Sequence, residues 1–176
     1  SLMGTPVATA GNIVSIVAQV KTGKSAVVQA MIAAAMVDDS TGLDFLGFTS
    51  SNPGGLPLVH IDTEQSPLDY WLGIERACRR AGIESPPPWL RSYCLTGLTP
   101  ARAWDATREA IRRSASQTQD GRLHSIIIDG VGDLVSDVND GAECNNFLAT
   151  LHGIAIKHRC PTTGVLHFNP VSEKGR

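Results

Sequence analysis

AQVKTGKS, residues 18–25, decides how the rest of the chain is read. Its spacing is Ala, four residues, then Gly-Lys-Ser, the pattern of a loop that cradles phosphates. Such a cradle needs backbone N–H groups converging on an anion, so the chain must curl tightly with little side chain in the way. Gly23 supplies that freedom. Lys24 is a point charge for β- and γ-phosphates, and the Ser25 hydroxyl is placed to ligate Mg²⁺. Ala18, Gln19, Val20, Lys21 and Thr22 complete the loop. Ala18 stands where the pattern often has glycine, which bears on loop geometry alone.

The flanks match what the loop requires. Ile13–Val17 (IVSIV) is β-branched and suited to a strand buried on both faces. Lys24–Met36 is rich in Ala and Met and apolar nearly all round, which predicts a buried helix. Asp38–Pro57 reads as an irregular connection with room for a short hairpin.

Outward from there, strands and helices alternate. Leu58–Ile61 predicts a second strand, ending in Asp62-Thr63-Glu64. Ser66-Pro67 supplies an N-cap and a first-turn proline for a helix running to about Ala81, with Leu68, Leu72 and Cys78 on one side and Gly82 as its stop. Trp89–Leu95 is suited to a third strand. Thr99-Pro100 repeats the cap signal, and Trp104, Thr107, Ile111 and Ala115 form one helical stripe. His124–Ile128 (HSIII) predicts a strand closed by Asp129-Gly130. Asn139-Asp140 opens a helix with Phe147, Leu148, Leu151, Ile154 and Ala155 at helical spacing, and Thr162–Leu166 forms a last strand ending in His167. This order implies an α/β fold, a mainly parallel sheet with helices on both faces. Ligands of such sheets bind beyond the carboxyl ends of the strands, where the loop, Asp62/Glu64, Asp129 and His167 all fall.

Each of these residues has a chemical use. Asp129, after three isoleucines, can orient Mg²⁺ through its water shell, although Asp-Gly is also a common turn signal. Glu64 can polarise an attacking water, or it serves the dipole of the next helix. His167 is placed to hydrogen-bond a γ-phosphate, and a lone histidine is also a common structural group.

Composition sets limits on the rest. The chain has 176 residues, 42% hydrophobic and 18% charged, with a formal charge of −2, which fits one globular domain without a global basic field for nucleic acid. Ala26–Val37 is too short to span a bilayer. Four scattered cysteines, with no CxxC pair, suit small hydrophobes in a reducing cytoplasm rather than a zinc site. Residues 1–10 are expected to be a tag remnant or frayed end, and residues 11–176 the folded core. The helix bearing Arg76, Arg79 and Arg80 presents a solvated charged face, and no lid with several arginines follows, which disfavours a small-molecule kinase.

The succession AQVKTGKS, HIDTEQS, IIIDGVGDLVSDVND and VLHFNP resembles RecA-like P-loop ATPases, most of all RepA-type hexameric helicases of plasmids and the ATPases of mobile elements. Gly42–Phe48 (GLDFLGF) and Asn139-Asp140 also look like RepA-type sequences. The resemblance covers roughly residues 11–172. It implies that Glu64 is the catalytic base, that Lys24 and His167 act on the γ-phosphate, and that His167 ends the strand between the two Walker strands. It also implies ATP and Mg²⁺ as ligands, a cytoplasmic homo-oligomer such as a hexamer, and single-stranded DNA as partner. Family members usually continue beyond the segment matching NPVSEKGR, so a C-terminally truncated core is expected. Phe168–Arg176 corresponds to a DNA-facing loop, and offers Lys174, Arg176 and Phe168 for that purpose. The alternative is a nucleotide-gated binding module with little or no hydrolysis.

Overall fold

The computed structural model describes residues 1–19, 22–37 and 43–167, with the side chains of Ala18 and His167 excepted. Five strands, β1 (Ile13–Ala18), β2 (Leu58–Asp62), β3 (Leu90–Cys94), β4 (Ser125–Asp129) and β5 (Thr162–His167), form one sheet in the order β1-β5-β4-β2-β3. All four pairings are parallel. The helices between them are α1 (Lys24–Ala35), α2 (Pro67–Arg80), α3 (Pro100–Ala115) and α4 (Gly141–Lys157).

Strand alternation sorts the core into two layers. Leu58, Ile127 and Val165 point to one face and pack with Val28, Ile32 and Ala33–Ala35 of α1 and with Ile74, Ala77 and Cys78 of α2. Val59, Ile61, Ile126 and Ile128 point to the other, against Ala103, Ala110 and Ile111 of α3 and Leu151 of α4. The strands are therefore apolar on both sides, as a sheet covered twice requires. The expected α/β architecture is the one observed.

Caps end the helices where the sequence marks them. The Ser66 hydroxyl accepts from Asp69 N at 3.2 Å and donates to Asp69 Oδ2 at 2.7 Å, with Pro67 at the first helical position. At the other end of α2, Gly82 at φ 70° lets Ile83 N reach Cys78 O at 3.0 Å and Gly82 N reach Arg79 O at 3.1 Å, satisfying the last carbonyls. Asp140 caps α4 by accepting from Ala142 N and Glu143 N. Thr99 precedes α3 as expected, but its side chain makes no cap bond.

Two helical stripes differ from expectation. Leu68 is 66% exposed, and α2 buries Gly73, Ile74, Ala77 and Cys78 instead. At helical spacing Leu68 lies on the side of α2 opposite Gly73, Ile74 and Ala77, and Ile74, Ala77 and Cys78 pack in the core shared with α1. On α4, Leu151 and Ala155 are buried, whereas Leu148 remains 46% exposed. Phe147 packs edge-on against Trp104 of α3, with ring centroids 5.0 Å apart.

The chain's first residues, expected to be frayed, lie against the connection between α1 and β2. Met3 N donates to Gly47 O at 2.7 Å, and Leu2 bridges Phe48. That antiparallel bridge is made to the N-terminal segment; Gly42, and residues 38–41 with it, lie outside the described residues.

His60, in the middle of β2, is structural. Its Nδ1 lies 2.8 Å from Ser92 Oγ, Tyr70 donates to the same oxygen, and the imidazole stacks on Tyr70. Burial holds its pKa down at about 4. The unfolded chain takes up this proton near 6.5, and the folded chain resists it until about 4, so stability is lost as pH falls through that interval. The loss from this one group is expected to be on the order of 3 kcal/mol. Urea unfolding near neutral pH and again in mild acid should show a smaller drop for His60→Gln than for the parent. An equal drop in both would exclude His60 as the cause.

Candidate nucleotide site

Because every strand is parallel, all five carboxyl ends lie along one edge of the sheet. The phosphate loop leaves β1 there and enters α1 at Gly23, whose φ of 89° and ψ of 18° are left-handed. Among the described residues, its two chain neighbours aside, no atom lies within 4 Å of where a Cβ on Gly23 would stand. The Thr22 hydroxyl donates to Gln19 O at 2.7 Å and closes the loop on itself. No side chain caps α1, and its first turn carries no acidic residue. That leaves the positive end of a buried 12-residue helix directed at the loop. Lys24 is 7% exposed and reaches Gln19 O at 3.4 Å. Ser25 follows it, half-buried. Val20 and Lys21 lie outside the described residues.

Two and three strands away, β4 and β2 end level with each other, with Asp129 paired to Asp62. Both carboxylates are buried, and alternation from Leu58 and Ile127 places them on the α1 side of the sheet. They serve different ends. Asp62 accepts from Glu64 N at 3.0 Å and Gln65 N at 2.9 Å through one oxygen, and from Gln65 Nε2 at 2.7 Å through the other. Burial raises its pKa first of all; the N–H bonds from Gln65 and Glu64 and the Gln65 side-chain bond pull it down, and the charge of Glu64 adds to the rise. Asp62 thus acts as the internal brace of the turn that carries Glu64. Glu64 itself is exposed at the sheet edge.

Asp129 sits on the central strand, flanked by β2 and β5. The following Gly130 has φ 93° and leads into a 3-10 turn at Val131–Leu134. Beyond it, Glu143 reaches back from α4 to accept from Ser136 N at 2.7 Å and Asp137 N at 3.0 Å. β5 lies between β1 and β4, and His167 at its end pairs with Ala18 at the end of β1. The positions of Ala18 and His167 at the site edge are therefore fixed, while their side chains and Phe168, Lys174 and Arg176 lie outside the described residues.

The structure thus brings Gly23, Lys24, Ser25, Glu64, Asp129 and the backbone of His167 to one edge. The bracing role of Asp62 had a local signal, an aspartate two residues before Glu64 in a turn. Thr63 had none, because its partners lie on β4 and beyond. Among the described residues no group of three or more His, Cys, Asp or Glu is arranged to hold a metal ion. A cation shared among one hydroxyl, one carboxylate and phosphate oxygens needs no such cage. No described helix is long and apolar enough to cross a membrane.

A family model described as an AAA domain matches residues 2–173. A search of curated proteins returns no match.

Proposed function

The chain belongs to the AAA domain family, and we propose that this AAA-type ATPase domain binds and hydrolyses ATP as the core of an oligomeric, DNA-dependent ATPase. The supporting observation is the shared edge of the sheet, where a left-handed turn at the head of a buried helix stands in line with Glu64 and Asp129. The N–H groups at the start of α1 would hold the phosphates, with the loop Ala18–Ser25 around them. Lys24 would pair with the β- and γ-phosphates. Ser25 and Asp129 would hold Mg²⁺, which when bound offsets the charge on those phosphates. Glu64, on its braced turn, would take the proton of the attacking water. His167 would sense the γ-phosphate from the strand between the two Walker strands.

The DNA-linked part and hexamer formation rest on the resemblance to RepA-type helicases of plasmids and mobile-element ATPases, and a cytoplasmic location rests on the scattered cysteines. Steady-state ATP hydrolysis with and without single-stranded DNA tests the DNA-linked part. Mg²⁺-dependent turnover stimulated by DNA is expected. Turnover indifferent to DNA would remove the helicase reading, and nucleotide binding without turnover would leave a nucleotide-gated binding module.

A further inference from the structure

Thr63 lies between the two carboxylates yet takes no part in the roles assigned so far. Its N–H donates to Asp129 O at 3.0 Å, extending the β2–β4 ladder one residue past the strand. Its buried hydroxyl faces three acceptors: Gly130 O at 2.9 Å, Asp133 Oδ2 at 2.9 Å and Asp129 O at 3.2 Å. One proton cannot serve all three. The Asp133 carboxylate is the strongest of them, since a hydrogen bond to a charged acceptor outweighs one to a carbonyl. Gly130 is fitted to the same contact, because a Cβ there would collide with the Thr63 hydroxyl and with Cγ of Glu64. The turn carrying Glu64 and the turn following Asp129 are therefore in direct contact, joined by one side chain.

We propose that Thr63 and Asp133 form a latch that fixes the Glu64 turn against the Asp129–Gly130 turn, which makes Thr63 a positioning residue for hydrolysis. This rests on Glu64 being the base of the proposed ATPase. The latch sets where Glu64 stands relative to Asp129, while Asp62 sets the shape of the turn from within. Removing the hydroxyl leaves the phosphate loop untouched and loosens only the placement of Glu64. Misplacement of about 1 Å is enough to slow a positioned reaction by roughly 100-fold.

Thr63→Val, Thr63→Ser and Asp133→Ala test the latch, with kcat, affinity for the non-hydrolysable analogue AMP-PNP, and amide hydrogen exchange as readouts. Thr63→Val is expected to lower kcat roughly 10- to 100-fold with AMP-PNP affinity unchanged, and to speed exchange together in the segments 64–65 and 130–134. Thr63→Ser, which keeps the hydroxyl, should recover most of the rate. Asp133→Ala, at an exposed position, should act in the same direction as Thr63→Val without disturbing the fold. A parental kcat in Thr63→Val, or a Thr63→Ser as slow as Thr63→Val, overturns the proposal. Should Glu64→Gln hydrolyse ATP like the parent, the assignment of the base fails and exchange alone decides. Faster exchange in both segments of Thr63→Val and Asp133→Ala then supports the latch, and unchanged exchange overturns it.

Discussion

Replacing Glu64 by glutamine is expected to lower ATP turnover by roughly two to four orders of magnitude while leaving nucleotide binding intact. The substitution keeps side-chain size and removes only the capacity to accept a proton. The turn should survive it, because the backbone N–H groups of Glu64 and Gln65 bond to Asp62 and both bonds are kept in the variant. The Asp62 pKa should fall slightly, since the Glu64 charge is one of the influences raising it. Single-turnover hydrolysis, with AMP-PNP affinity measured in parallel, separates chemistry from binding. A variant that turns over ATP at the parental rate would place the base elsewhere.

Lys24→Met should fail at the earlier step. Methionine retains an unbranched stem in a buried position, so packing at the start of α1 is kept, and only the ammonium is lost. A charge-assisted bond to phosphate is worth about 1.5–3 kcal/mol, so affinity for ATP should weaken roughly 10- to 100-fold. Equilibrium binding of a fluorescent ATP analogue to the two proteins measures this directly. Equal affinity would mean that Lys24, which reaches Gln19 O in the structure, stays with the loop and does not engage phosphate. Lys24→Met should alter both binding and rate, whereas Glu64→Gln should alter rate alone.

Much of the fold could be read from local patterns, and for definite reasons. The β-branched runs before residues 18, 62 and 129 and the cap signals at Ser66 and Asp140 are short-range features with short-range causes. Parallel order then carried the polar ends to one edge. What escaped the sequence depends on distant partners. Leu68 looked inward by periodicity, but burial on α2 is decided by where α1 lies. The end of α4 is set by Arg159 at φ 49°, with Cys160 N returning to Ala155 O at 3.1 Å, a left-handed stop made without glycine. Thr63 is invisible for the same reason, since the acceptors of its hydroxyl lie on the far side of α2, β3 and α3 in the sequence.

The placement of β1 has a consequence for how the protein is made. Of the five strands β1 comes first in chain order, yet its neighbour in the sheet is β5, the last of them, with Ile13 opposite Thr162. Until β5 is synthesised, the strand that launches the phosphate loop has no ladder to join, and closing so long a stretch of chain is slow. Through most of translation its apolar run therefore stays uncovered and open to wrong pairing. Competence to bind nucleotide is thus expected to come late, once β5 pairs with both β4 and β1 and the loop is held at the same edge as Asp129.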